Sequence, residues 1–156
     1  MKTVYLGLGS NLGDRGANLQ AAIERLASPE LRVLRVSPVY ETEPMYLTAQ
    51  PRFLNQVIEV ETELFPRQLL TRINKVERAM GRVRAQVNGP RIIDVDILLY
   101  GDAVIRSPGL EVPHPKMTER RFVLEPLAAL SPDLRIPGTK KTVRELLVGQ
   151  SHAPLY

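Results

Sequence analysis

The segment Gly89-Pro90-Arg91-Ile92-Ile93-Asp94-Val95-Asp96-Ile97-Leu98-Leu99-Tyr100 sets two carboxylates into a run that is otherwise apolar. Read as a strand, its alternation places Ile93, Val95, Ile97 and Leu99 on one side and Asp94 and Asp96 on the other. A fold built on such a strand buries the first side and must find a use for the second. At about 3.3 Å rise per residue the two Cα atoms stand about 6.6 Å apart, close enough for the charges to repel unless a cation lies between them. Adjacent hard oxygen ligands suit Mg²⁺, which takes one or two protein carboxylates and shares the rest of its sphere with water and phosphate. An Asp-x-Asp pair is also compatible with plain solvation. Ile92, Leu98 and Tyr100 fall on the acids' side and Arg91 lies just upstream, which favours a covered metal site over a solvated face.

A chain of 156 residues fits one domain, spanning residues 1–156, and can bury a core without staples. With no cysteine there is no disulfide framework, zinc-thiolate site or thiol nucleophile. The apolar runs are too short to cross a bilayer, and Val4 to Leu8 is of strand length with charged residues soon after it. A cytoplasmic protein without a membrane partner is the expectation. No spare apolar helix face demands a second copy, so a monomer is expected too. The net charge of +4 calls for an anionic partner. Its distribution is more telling: Arg82, Arg84 and Arg91 bracket the loop before the acidic strand, and Lys116, Arg120 and Arg121 follow His114.

Periodicity lays out the remaining elements. Lys2 to Leu8 alternates as a first strand, and Asp14 caps a helix whose Leu19, Ala22, Ile23 and Leu26 keep helical spacing up to Ser28-Pro29. Leu31 to Tyr40 reads as a second strand, followed by a long polar loop from Glu41 to Pro51 of the kind that serves as a lid. Phe53 to Thr62 is a third strand, with Phe53, Asn55 and Val57 on one side. Pro66 opens a helix with the stripe Leu69, Ile73, Val76 and Met80, stopped by Gly81. A second loop covers Arg82 to Pro90. After the acidic strand, Gly101-Asp102 turns the chain into a hairpin with Ala103-Val104-Ile105, and Leu110 to Val112 forms a short strand. Arg121–Leu130 and Thr142–Val148 read as helices, the latter opened by a Thr142/Glu145 capping box. This order predicts an α+β fold built on a split β-α-β unit, a ferredoxin-like α/β sandwich with an antiparallel sheet and helices on one face.

Other patterns carry less. Gly7-x-Gly9 precedes a helix, but Leu12 stands where a dinucleotide fingerprint needs glycine and no Gly-Lys-Ser/Thr follows, so a tight turn is the reading. His114 lies between prolines and close to Arg120, placed either as a structural residue or as a donor to an anion. His152 reads as solvated. Phe53 sits beside Asn55, where a flat heterocycle can stack while the amide reads its edge. No basic segment interleaved with aromatics is present, which argues against a nucleic-acid-binding module. A metal-dependent phosphoesterase using the two aspartates is the remaining rival.

Taken in order, Gly9-Ser10-Asn11-Leu12, Tyr40-x-Thr42, Phe53-Leu54-Asn55, Glu77 with Gly81-Arg82-Val83-Arg84, Gly89-Pro90-Arg91-x-x-Asp94-x-Asp96, Val112-Pro113-His114, Arg120 and Phe122 resemble the 6-hydroxymethyl-7,8-dihydropterin pyrophosphokinases over nearly the whole chain. The resemblance implies Mg²⁺-dependent transfer of diphosphate from ATP to a pterin alcohol in folate biosynthesis, with AMP released. It implies two Mg²⁺ ions on Asp94 and Asp96, and Arg82 and Arg91 beside them as catalytic residues. Arg84, His114 and Arg120 would join Arg82 and Arg91 on phosphate oxygens, and Asn74, Glu77 and the backbone of Ile97 would lie around the adenosine. Phe53 and Phe122 would sandwich the pterin, with Gly9, Thr42, Pro44, Met45, Asn55 and Asp94 completing its site. Small molecules are the implied partners. The sequence departs from many family members at Glu43, Ala85, Val87 and Asn88, all within the two loops.

Overall fold

The structure is a computed structural model and describes residues 1–42, 50–82 and 90–150. Strand β1 (Lys2–Ser10) runs antiparallel to β4 (Phe53–Thr62) on one side and to β5 (Asp94–Tyr100) on the other. β2 (Leu31–Val36) pairs with the C-terminal half of β4, and β3 (Tyr40–Thr42) pairs with its N-terminal end, Thr42 opposite Phe53. Helix α1 (Arg15–Leu26) links β1 to β2, and α2 (Pro66–Ala79) links β4 to β5. Each helix thus joins two parallel strands with an antiparallel one between them, giving the sheet order β2-β4-β1-β5. This is the ferredoxin-like arrangement expected from the sequence.

Local chemistry sets the element ends. The Asp14 carboxylate accepts the Ala17 N–H at 3.1 Å and caps α1. Pro66 occupies the first turn of α2, and Gly81, at φ 86°, ends it in a left-handed conformation that a side chain would resist. The segment read as one strand from Leu31 to Tyr40 is two. Pro38 has no N–H to give the ladder, and Ser37 bonds β4 at Val57 through both its N–H, at 2.9 Å, and its side chain.

Helices cover both faces of the sheet, not one. Leu19, Ala22 and Leu26 of α1 and Leu69, Ile73 and Val76 of α2 pack on Val4, Leu6, Leu8, Ile58, Val60, Val95 and Ile97. On the other face α3 (Arg121–Leu130) and α4 (Val143–Gly149) bring Val123, Leu124, Leu127 and Val143 onto Tyr5, Val57, Leu98 and Leu99. Tyr5, Val57 and Leu98 have the parity opposite to the first core, so this second face is apolar and needs its own cover.

A β-bulge corrects the parity read for the end of β5. The β1–β5 register runs Tyr5↔Leu99 and then Leu6↔Ile97, so Leu98 is the extra residue. Beyond it the faces exchange. Leu99 joins the α3/α4 core, and Tyr100 joins the α1/α2 core, where its hydroxyl donates to the Leu64 carbonyl. Ile92 also packs with the α1/α2 core, leaving Leu98 as the apolar residue that shares the side of Asp94 and Asp96.

The hairpin expected between β5 and residues 103–105 does not form. β6 (Ile105–Ser107) pairs instead with β7 (Leu110–Val112) across Pro108-Gly109, Gly109 taking φ 74° at the turn. The outer edge of β5 is met by the loop that follows β7, where the His114 N–H donates to the Leu98 carbonyl at 2.9 Å. Among the described residues no helix is long and apolar enough to cross a membrane.

Candidate active site

The α3/α4 layer leaves the end of the sheet nearest Ser10 and Asp94 uncovered, and a cavity of about 430 Å³ opens there. Its floor comes from three strands: Gly7 and Gly9 of β1, Phe53 and Asn55 of β4, Asp94, Asp96 and Leu98 of β5. The two glycines make the room. A Cβ on Gly7 would stand 3.4 Å from the Leu98 side chain, and one on Gly9 would stand 3.3 Å from the Asn55 Oδ1 and 3.6 Å from the Phe53 ring. Arg82, Arg91, His114, Lys116, Arg120 and Phe122 form the walls.

Asp94 and Asp96 face the cavity together, as their spacing predicts. Asp94 is held by two guanidinium groups, Arg82 at 3.2 Å and Arg91 at 3.5 Å. Burial, and then the charge on Asp94, push the Asp96 carboxyl up to about 7. Arg82 also pairs at 2.9 Å with Glu77, whose carboxylate accepts the Val95 N–H at 2.9 Å. Glu77 is buried, and that burial raises its own pKa against the pull of these partners. Among the described residues the buried Nε of Arg82 and that of Arg120 each have no hydrogen-bond partner.

His114 follows the cis Val112–Pro113 peptide. Its Nδ1 accepts the Lys116 N–H at 3.3 Å, and burial together with the Arg120 charge holds its pKa down at about 4. At neutral pH it is therefore an uncharged imidazole with the proton assigned to Nε2, a donor rather than a second cation.

Phe53 and Phe122 supply two aromatic faces, each with an arginine over it: Arg91 lies 6.0 Å from the Phe53 centroid and Arg120 lies 5.5 Å from that of Phe122. Buried Asn55 donates to the Thr42 hydroxyl, which fixes the amide against the Gly9 backbone. This half of the cavity offers ring faces and in-plane polar groups, and the other half offers carboxylates and guanidinium groups.

A second cavity of about 330 Å³ is lined by Asn74, Glu77, Arg78 and Arg82, so Arg82 borders both spaces. Ile97 lines neither, since its side chain is in the core opposite Leu6. Pro44, Met45, Arg84 and His152, with Glu43, Ala85, Val87 and Asn88, lie outside the described residues. The cavity also includes Gln50 and Lys116, and Arg78 borders the second cavity; none of the three was singled out as a site residue from the sequence. Lys116 lies in the basic cluster noted after His114. Gln50 had no signal beyond its place at a loop end.

Among the described residues no group of three or more acidic, histidine or cysteine side chains surrounds a point that could hold an ion. Two carboxylates are what remains, one with its pKa raised by burial and then by its neighbour's charge. That donor set fits Mg²⁺, which is content with one or two carboxylates when phosphate and water complete its sphere.

The family model for 7,8-dihydro-6-hydroxymethylpterin-pyrophosphokinase (HPPK) matches residues 5–132. The 2-amino-4-hydroxy-6-hydroxymethyldihydropteridine pyrophosphokinase of Methylorubrum extorquens is 47% identical over 148 residues, covering 94% of this chain and 92% of its own. The folic acid synthesis protein fol1 of Schizosaccharomyces pombe is 49% identical over 147 residues, 94% of this chain. This chain spans about a fifth of the length of that relative, 20%. In three dimensions a crystal structure of a Plasmodium falciparum HPPK-DHPS triple mutant superposes with a TM-score of 0.79, covering 99% of this chain and 45% of that one at 16% identity, which speaks for the fold. With the family model spanning the sheet, both cavities and the acidic strand, the chain belongs to the 7,8-dihydro-6-hydroxymethylpterin-pyrophosphokinase family.

Proposed function

We propose that this protein transfers the β,γ-diphosphate of ATP to the hydroxymethyl group of 6-hydroxymethyl-7,8-dihydropterin, releasing AMP in a step of folate synthesis. The observation that carries this reading is one cavity in which Phe53, Phe122 and Asn55 stand beside Asp94 and Asp96 under Arg82, Arg91 and Arg120. A flat heterocycle with a pendant alcohol fits the first group, and a polyphosphate fits the second.

The substrate alcohol oxygen forms a bond to the β-phosphorus, the bond from that phosphorus to the α,β-bridging oxygen breaks, and AMP leaves with the electron pair. Such a transfer depends on alignment and charge neutralisation more than on covalent help. Phe53 and Phe122 stack the ring, and Asn55 with Thr42 sets its rotation in the plane. Arg82, Arg91 and Arg120 offer forked donors for phosphate oxygens. The uncharged His114 adds a donor from Nε2. Asp94 lines the same cavity as Phe53, and its carboxylate is the group assigned to accept the hydroxyl proton. Asn74, Glu77 and Arg78 form the space that would take the nucleoside, with Arg82 between nucleoside and phosphates. From the family resemblance we also assign Pro44 and Met45 to the pterin, and Arg84 and the Ile97 backbone to ATP.

Asp94 and Asp96 would hold Mg²⁺, two ions in this reading. The metal supplies charge neutralisation of the phosphates and lowers the cost of negative charge developing on the leaving group. The partners proposed are small molecules, without nucleic acid or membrane, for a monomer acting in the cytoplasm. The test is to incubate the purified protein with ATP, Mg²⁺ and the pterin alcohol. One AMP and one pterin diphosphate per turnover are expected. Release of ADP or inorganic phosphate, or turnover indifferent to the pterin, overturns the reading and favours a phosphoesterase.

A further inference from the structure

Asn11 makes its hydrogen bonds to the segments that lead to the two halves of the cavity. It sits just past β1 and is 1% exposed. Its backbone N–H donates to the Arg91 carbonyl at 3.0 Å, and its Oδ1 accepts the Arg91 N–H at 2.7 Å. Its Nδ2 donates to the Pro51 carbonyl at 3.1 Å and to the Gln50 Oε1 at 2.8 Å. The amide orientation follows from its partners, because the Arg91 N–H can only donate and the Pro51 carbonyl can only accept. Asn18 steadies the same turn, donating from Nδ2 to the Leu12 carbonyl at 2.8 Å and to the Ser10 hydroxyl at 3.3 Å.

Pro51 lies two residues before Phe53, and Arg91 lies three before Asp94. One buried amide therefore joins the chain leading to the aromatic half of the cavity with the chain leading to the acidic half. Asparagine suits the place. Aspartate keeps the acceptor but lacks the donors, serine cannot reach, and alanine leaves the Arg91 N–H and the Pro51 carbonyl without this partner.

We infer that Asn11 is a positioning residue that sets the acceptor half of the site against the phosphate half, an inference that rests on the function proposed above. In-line transfer needs the alcohol oxygen aimed at the β-phosphorus, and misplacement by about 1 Å costs on the order of 100-fold in rate. Asn11 is not among the described residues that line either cavity, so a substrate held in one half alone loses no direct contact when Asn11 is replaced. The loss therefore falls on turnover of the ternary complex rather than on binding of either substrate.

The experiment compares wild type, Asn11→Ala and Asn11→Asp. Three quantities are read: kcat and KM for both substrates, the affinity for pterin alcohol alone and for a non-hydrolysable ATP analogue alone with Mg²⁺, and amide hydrogen exchange of the ligand-free protein. For Asn11→Ala, kcat falls by about 10- to 100-fold while KM and single-ligand affinities stay within about threefold. Its exchange rises together in peptides covering 50–54 and 90–94. Asn11→Asp keeps the Arg91 link, so its kcat falls less and exchange rises at 50–54 alone; it also serves if the alanine variant folds poorly. An unchanged kcat, or a loss lying wholly in KM and single-ligand affinity, overturns the inference. If wild type shows no pterin-dependent turnover, the function reading fails and the exchange pattern alone decides the Asn11 link. Paired loss of protection in Asn11→Ala then upholds it, and protection kept at 90–94 refutes it.

Discussion

The Oε2 of Glu77 accepts a hydrogen bond at 2.9 Å from the backbone N–H of Val95, the residue that separates Asp94 from Asp96. The same oxygen lies 2.9 Å from the Arg82 guanidinium, which also pairs with Asp94. A buried carboxylate on α2 thus fixes the backbone between the two acids and the cation beside them. Glu77→Ala leaves a buried N–H unpaired and Arg82 with half its charge balance, so a stability loss of about 3 kcal/mol is expected. Glu77→Gln keeps an acceptor for Val95 and should cost about 1 kcal/mol. Urea unfolding of the three proteins checks the ranking. Equal stability of the alanine variant and wild type would contradict it.

Asp96 and His114 make opposite contributions to the pH dependence of the metal-free protein. In the folded state Asp96 keeps its proton up to about 7 against an ordinary value of 3.8, so it contributes stability at low pH that is lost as pH rises from about 4 through 7. His114 is held down at about 4 against 6.5, so its contribution is gained as pH rises across that window. The Asp96 part is isolated by comparison with Asp96→Asn, whose stability relative to wild type should rise with pH up to about 7 and then level. Mg²⁺ should stabilise wild type more at pH 8 than at pH 5, since binding must displace the Asp96 proton. Thermal melts across pH, with and without Mg²⁺, measure both effects. A flat difference contradicts the assignment.

The close approach at Gly9 predicts a substrate-specific defect. A Cβ there falls 3.3 Å from the Asn55 Oδ1, tight enough to displace the amide proposed to read the pterin edge. Gly9 is not at a positive φ, so the backbone itself tolerates alanine. Gly9→Ala should raise KM for the pterin alcohol on the order of 10-fold, with little change in KM for ATP and in melting temperature, the scale of one disturbed polar contact. A defect shared equally by both substrates would place the glycine's role elsewhere.

Phe53 and Phe122 should behave as a pair. Each lies against an arginine in the cavity, so truncation removes a stacking face and also frees a guanidinium. Phe53→Ala and Phe122→Ala should each weaken pterin binding by about 1 to 2 kcal/mol and leave binding of the ATP analogue near wild type. Titration of intrinsic pterin fluorescence provides the measurement. Unchanged pterin affinity in both variants would remove the aromatic slot from the account.

The parts of this site that follow from period and residue type were legible in the sequence. Alternation put Asp94 with Asp96 and Phe53 with Asn55, and both pairs line the cavity. The caps at Asp14 and Thr142 form as their neighbours dictate. What failed was long-range. The bulge at Leu98 arises from pairing with β1 and exchanges the faces of Leu99 and Tyr100, which no local pattern encodes. The second helical layer has no local signal, because Tyr5, Val57 and Leu98 lie on three different strands and form one apolar face only once the sheet is paired. Asn11 was visible only as part of a glycine turn; its role depends on Arg91 and Pro51, which are distant in sequence and adjacent in space.

In the proposed function the cavity directs attack to the β-phosphorus of ATP rather than the γ-phosphorus. ATP radiolabelled at its β-phosphorus, mixed with Mg²⁺, pterin alcohol and the protein, decides this in one separation of products. The label should move into the pterin product in step with its formation, and AMP should carry none. Label retained in ADP, or released as free phosphate or diphosphate without the pterin, would contradict it.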